Sequence, residues 1–138
     1  MKRLLLLAVF ICCCARIHGQ TAVHNGDCLQ TAKTQSDLDD CASQKAKAAD
    51  VELNRVYLVL LAKYGRDANA TAKLKAMERD WVTYRDAYVA ATYPANDKQA
   101  EYGTMYPMEV DLLYEELTRT QIAALNELLH KDDEPGNR

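Results

Sequence analysis

The sequence holds no strand candidate of any length, no internal repeat and no low-complexity tract. That leaves helix as the regular structure it can build. Histidine is scarce. His24 and His130 lie at opposite ends of the chain, and His18 falls in an N-terminal segment expected to be removed. No histidine-based metal site follows, and the Cys28 to Cys41 spacing is not that of a zinc knuckle. A Gly-x-Ser-x-Gly elbow is missing, which removes a common frame for a serine nucleophile. Carboxylates are plentiful, but on a helical body without a cleft they are ordinarily solvated. Nothing asks for a cofactor, and these absences point away from an enzyme.

An apolar run long enough to cross a membrane is also lacking. The longest, Leu4 to Cys14, has eleven residues, where a transmembrane helix needs about 20. It follows the basic Lys2 and Arg3 and precedes Ala15 and Gly19. Positive, apolar, then small is the order of a secretory signal. Residues 1–19 are therefore expected to be an export signal cleaved after Gly19, with Ala15 as the alternative position. Cys12, Cys13 and Cys14 raise lipidation as a second route, against which stand the bulky Val9, Phe10 and Ile11.

The whole chain has 17 basic and 20 acidic residues. Removing Lys2, Arg3 and Arg16 leaves 14 against 20, a net charge of −6 for the exported protein. Such a domain is expected to repel nucleic acid and anionic membranes and to attract basic partners at a salt-sensitive rate. An acidic surface with no partner at all is the plainer reading of charge alone. Past the signal only Cys28 and Cys41 remain. In an oxidising compartment they are expected to form one disulfide, two free thiols being the alternative.

Three helices can be read from apolar spacing. Ser36 looks like an N-cap with Asp39 three residues on. After it Leu38, Ala42, Ala46, Ala49, Leu53, Val56 and Leu60 recur at steps of three and four, widened by Tyr57, Leu61 and Tyr64. Gly65 sits where a left-handed helix terminator belongs, and Asp67 can cap the next helix. A second stripe follows: Leu74, Met77, Trp81, Tyr84, Tyr88 and Ala91, ended by Pro94. On it Trp81, the one tryptophan, is expected to be buried. Residues 94–104 have no period and read as a loop. The third helix begins at Thr104 or Tyr106, with Val110, Leu113, Leu117, Ala124 and Leu128 inside, helped by Met108, Ile122 and Leu125. The short first connection makes a helical hairpin. The expected fold is all-α: a small antiparallel three-helix (up-down-up) bundle over residues 20–131, its N-terminal segment tied on by Cys28–Cys41. Residues 132–138 are expected to form a disordered tail.

Several motifs stand in a fixed order. Cys28 is followed by Lys33-Thr34-Gln35-Ser36-Asp37-Leu38 and by Cys41-Ala42. Ala49-Asp50, Leu53-Asn54 and Tyr57 come next, then Leu74, Asp80-Trp81, Tyr84-Arg85-Asp86-Ala87, Gly103-Thr104-Met105-Tyr106-Pro107, Leu117-Thr118 and Gln121. The ordered set, covering about Cys28 to Leu129, resembles the N-terminal domain of LprI-type lysozyme inhibitors. The resemblance implies a secreted or periplasmic protein that binds lysozyme and blocks it without catalysis. It also implies a second cysteine pair, where this chain has Tyr88 and Tyr114; the two rings are expected to stack in its place. The alternative function is a cell-envelope interaction or structural module without lysozyme activity.

On physical grounds Arg85 has Trp81, Val82, Tyr88 and Val89 at helical neighbour spacings, and none is acidic. A buried Arg85 therefore needs a partner from another helix or from the 94–104 loop, with Asp50 and Asn54 of the first helix as candidates. Asp50, Asn54, Trp81, Tyr84, Arg85 and Asp86 are accordingly read as a structural motif. The candidate partner-binding residues are Asp97, Glu101, Tyr102, Tyr106 and Glu109, which join negative charge to aromatic rings. Along the third helix Glu109 and Glu116 share one face, and Asp111 and Glu115 another; a solvated helix face is the plainer alternative.

Overall fold

The computed structural model describes residues 28–131. The signal expected over 1–19 and the tail expected over 132–138 lie outside them. The elements are a short α1 (Cys28–Thr31), a long α2 (Gln35–Tyr64), α3 (Ala68–Thr92), α4 (Lys98–Tyr102), a 3-10 turn (Gly103–Met105) and α5 (Tyr106–His130). No strand occurs among the described residues, and no helix among them is long and apolar enough to cross a membrane.

The entry into α2 differs from the Ser36 and Asp39 reading. Thr34 is the N-cap, with an extended backbone. Its hydroxyl accepts from the Asp37 N–H at 3.1 Å, and the Asp37 carboxylate accepts from the Thr34 N–H at 2.9 Å. This reciprocal box satisfies two amides and contributes about 1 kcal/mol. Ser36 already lies inside the helix, and Asp39 instead accepts from Gln35. Just upstream, Cys28 and Cys41 form a disulfide with Cα atoms 5.8 Å apart, tying α1 to α2. Closing a loop of that size is worth about 3 kcal/mol in the chain-entropy view.

Gly65 does end α2, but not as a left-handed terminator: its φ is −59°. A Cβ there would stand 3.2 Å from the Leu61 carbonyl oxygen, so the turn uses glycine for closeness. Asp67 then caps α3 by accepting from the Asn69 and Ala70 N–H groups, both at 2.9 Å.

The 94–104 segment is more ordered than a loop. Asp97 caps α4, accepting from the Ala100 N–H at 3.0 Å. Gly103 ends it at φ 71° and ψ −162°, a conformation that side chains resist. Five residues are too few to display a helical stripe, which is why spacing misses α4. Pro107 sits in the first turn of α5, where its missing N–H costs nothing.

The α2 stripe lies where spacing puts it: Ala42, Ala49, Leu53, Val56 and Leu60 are buried. Its small residues let α5 approach along its length, while α3 meets each of them at fewer places. Leu53, Val56, Leu60, Leu74 and Leu125 form the core cluster, with Tyr57, Met77, Trp81 and Ile122 packed against it.

The other two stripes are rotated from expectation. On α3 only Leu74 and Val89 are buried. Trp81 is half-buried rather than enclosed, and Tyr84 and Tyr88 are exposed. On α5 Leu125 is buried as expected, but the other buried residues are Glu115, Thr118 and Gln121. Val110, Leu113, Leu117 and Leu128 are half-buried, and Ala124 is exposed. The physical cause is polar pairing. Glu115 meets Lys45 at 3.2 Å and Arg119 at 2.8 Å, and Gln121 donates to Glu78 at 3.1 Å. Satisfied in this way, polar groups can occupy inner positions that hydropathy reserves for leucine.

Contacts at the helix ends show which ends meet. Lys63 donates to the Leu129 carbonyl at 2.6 Å, Tyr64 to that of Leu128 at 3.4 Å, and Thr71 to that of Tyr64 at 3.0 Å. The end of α2, the start of α3 and the end of α5 therefore lie together.

Candidate functional site

The Trp81 to Asp86 motif builds a cage around one cation. Arg85 turns inward from α3 with its side chain 18% exposed. Its guanidinium carbon lies 5.1 Å from the Trp81 ring centre and 5.0 Å from that of Tyr114 on α5. Asp86 accepts from its Nε at 3.1 Å, and Asp50 of α2 lies 3.5 Å from Nη1. One side chain thus touches all three long helices. Asp50 is the cross-helix partner that helical spacing requires. Asn54, the other candidate, instead donates to the Asp50 carbonyl of its own helix at 2.9 Å. Asp86 contributes although it adjoins Arg85 in sequence, because the long guanidinium stem reaches past the local geometry. Burial, with Asp86 beside it, pushes the Tyr114 hydroxyl up.

The stack expected between Tyr88 and Tyr114 is not what forms. Tyr88 pairs with Tyr84 of its own helix at 5.9 Å between ring centres, and Tyr114 faces Arg85. The i and i+4 positions on α3 meet more readily than rings on two helices whose gap already holds a guanidinium.

A second cluster holds the 93–106 segment. Tyr93, Tyr102 and Tyr106 form a triangle of rings with centres 5.1, 5.2 and 5.7 Å apart. The Tyr102 hydroxyl accepts from the Ala95 N–H at 3.1 Å, the Tyr93 hydroxyl lies 3.5 Å from the Glu109 carboxylate, and Lys98 donates to the Tyr93 carbonyl. Burial first, and Glu109 second, push the Tyr93 hydroxyl up. Tyr93 is the centre of this cluster, and the sequence reading missed it: it lies off the α3 stripe, and its only signal is its place before Pro94.

The five candidate partner-binding residues thus gather at one end but do different things. Asp97 is a helix cap, Tyr102 and Tyr106 are half-buried in the ring cluster, Glu109 is half-buried beside Tyr93, and Glu101 is exposed. The second pair of α5 acids is not a solvent face. Glu115 is buried in its ion pairs, and Asp111 is half-buried, its carboxyl pushed up by burial and by Asp39 against the opposing pull of Lys47 and Ser43.

Charge is sorted along the body. The half containing residues 28–50 and 80–116 has 12 acidic and 5 basic residues, net −7. The half containing 51–79 and 117–131 has 4 acidic and 8 basic residues, net +4. At a rise of about 1.5 Å per residue the thirty-residue α2 spans roughly 45 Å, several times the physiological screening length of about 8 Å. The two ends therefore present separate fields, which net charge conceals. Among the described residues no group of His, Cys, Asp and Glu is arranged to hold a metal ion.

Comparison with known proteins agrees with the motif order. Residues 27–125 match the family model described as lysozyme inhibitor LprI. An uncharacterized protein of Rhizobium meliloti (strain 1021) is 36% identical over 134 residues, covering 89% of this chain and 91% of its own length. No solved structure matches the chain.

Proposed function

The chain belongs to the LprI lysozyme inhibitor family, and from that premise we propose that it is an exported, non-catalytic inhibitor that meets lysozyme through its acidic half. The supporting observation is the charge sorting: net −7 is gathered at the end that carries the 93–106 segment. A strongly basic lysozyme would be steered to that end and away from the other. The frame is read as the up-down-up bundle of α2, α3 and α5; the Lys45–Glu115 and Tyr64–Thr71 contacts support that order. The export signal over 1–19 supports a periplasmic or secreted location, where lysozyme acts.

Within the acidic half, Glu101 and Glu109 are proposed to face the enzyme, with Asp97 and the tyrosine cluster holding the segment that carries them. The exposed Glu101 acts on encounter. Tyr102 and Tyr106, half-buried among their own rings, support the segment. The test is inhibition of lysozyme in a cell-turbidity assay, paired with binding kinetics across a salt series. Glu101→Lys with Glu109→Lys should slow association and flatten its salt dependence. Lys73→Glu with Lys75→Glu, at the basic end, should do neither. Unchanged rates in the first pair while wild type inhibits would move the surface elsewhere. A wild type that binds no lysozyme would leave the envelope interaction module as the reading.

A further inference from the structure

The α3 stripe read from spacing puts Tyr84 and Tyr88 in the core, yet they are 55% and 44% exposed. Places where a consistent local pattern fails are where function or strain is expected. The local cause is clear: after Trp81 the inner line of α3 steps by four to Arg85 and Val89 instead of by three to Tyr84. Caging Arg85 thereby turns two aromatic rings outward. They tilt against each other at 51°. Ala87 and Ala91, which follow on the same face, are too small to cover them.

We propose that Tyr84 and Tyr88 form the aromatic contact of the inhibitory surface, seated on a basic lysozyme; this rests on the lysozyme reading above. Charge complementarity selects that occupant. Both tyrosines lie in the acidic half, and the exposed Asp80 precedes Tyr84 by one helical turn. The exposed Asp86 follows Tyr84 on the same helix and adds a second carboxylate beside the rings. Exposed tyrosine rings bordered by carboxylates suit a surface rich in arginine and lysine: the faces accept cations, and the hydroxyls stay at the wet edge. Tyrosine also orders at low entropic cost, which is why it recurs among residues that dominate interfaces. By contrast Tyr102 and Tyr106 are already engaged with Tyr93 and Ala95.

The test uses the full exported chain against purified c-type lysozyme and, in parallel, g-type lysozyme. Tyr84→Ala and Tyr88→Ala should each raise the dissociation rate about tenfold or more, with little change in association. Val51→Ala and Leu58→Ala, exposed on α2 in the other half, should change neither rate. As a readout independent of variant folding, nitration of wild-type tyrosines mapped by mass spectrometry should fall at Tyr84 and Tyr88 when lysozyme is added. If wild type inhibits but the variants dissociate normally and both rings stay open to nitration, the proposal is overturned and the inhibitor reading stands. If wild type does not bind either lysozyme, both fall together.

Discussion

Arg85 of α3 lies with its guanidinium carbon 5.0 Å from the ring centre of Tyr114 on α5. That single contact joins the middle helix to the last, and Asp50 extends it to α2. Tyr114 is, with Tyr88, one of the two positions where the resemblance implied a second cysteine pair. A caged cation between two rings links α3 to α5 here.

Arg85→Ala should therefore cost about 2–3 kcal/mol, combining two ring contacts with the loss of partners for Asp50 and Asp86. Arg85→Lys should recover little, because an ammonium lacks the flat face that fits between Trp81 and Tyr114. Urea unfolding followed by circular dichroism measures both. A lysine variant as stable as wild type would show that charge alone is what the site needs.

Gly103 should be intolerant of any side chain. At φ 71° and ψ −162° it occupies a region left to glycine, although a Cβ would meet no atom within 4 Å. The penalty is thus in the backbone and not in space. Gly103→Ala should cost about 1–3 kcal/mol. Amide exchange should quicken over 98–106 while the α2 core stays protected. A uniform loss of protection would instead make this segment part of the global folding unit.

Asp37 and Asp111 should tilt the pH dependence in opposite directions. The Lys33 N–H first, then the Thr34 hydroxyl and N–H, hold the Asp37 carboxyl below the usual range. Its stabilising effect is complete above the ordinary aspartate value of about 4 and is lost as pH falls through the depressed one. Asp111 is pushed up, chiefly by burial. Once ionised it opposes folding, and that penalty fades as pH drops below its ordinary value. At about pH 7 Asp37→Asn should be less stable than wild type and Asp111→Asn more stable. The Asp111 gap should close as pH drops below about 4, and the Asp37 gap should narrow as pH falls further through its depressed range. Denaturation midpoints across this range decide it, and a constant gap at every pH would contradict the assignment.

The three long helices and their order are legible in the sequence because they depend on local properties. The Leu38 to Leu60 stripe, the Asp67 cap and the stop before Pro94 are each set by residues within a few positions of one another. The disulfide is legible because Cys28 and Cys41 are the only cysteines past Cys14. The 93–106 segment is visible as a stretch without helical period that carries Asp97, Glu101 and three tyrosines. Its internal order is not, since the ring triangle depends on Tyr93 meeting Tyr106 across thirteen positions.

The rotation of α3 and α5 about their axes was decided by the tertiary structure. A shift of one residue turns a helix by about 100°, so small differences in pairing choose between neighbouring stripes. On α3 the choice is made by Asp50 and Tyr114, which capture Arg85 and leave Tyr84 and Tyr88 outside. On α5 it is made by Lys45 and Glu78, which admit Glu115 and Gln121 to positions that leucines were expected to hold. The partners come from other helices, and residue spacing along one helix carries no information about them. The same assembly sorts the charges, because only packing brings residues 28–50 beside 80–116 and makes one end of an unremarkable net charge strongly acidic.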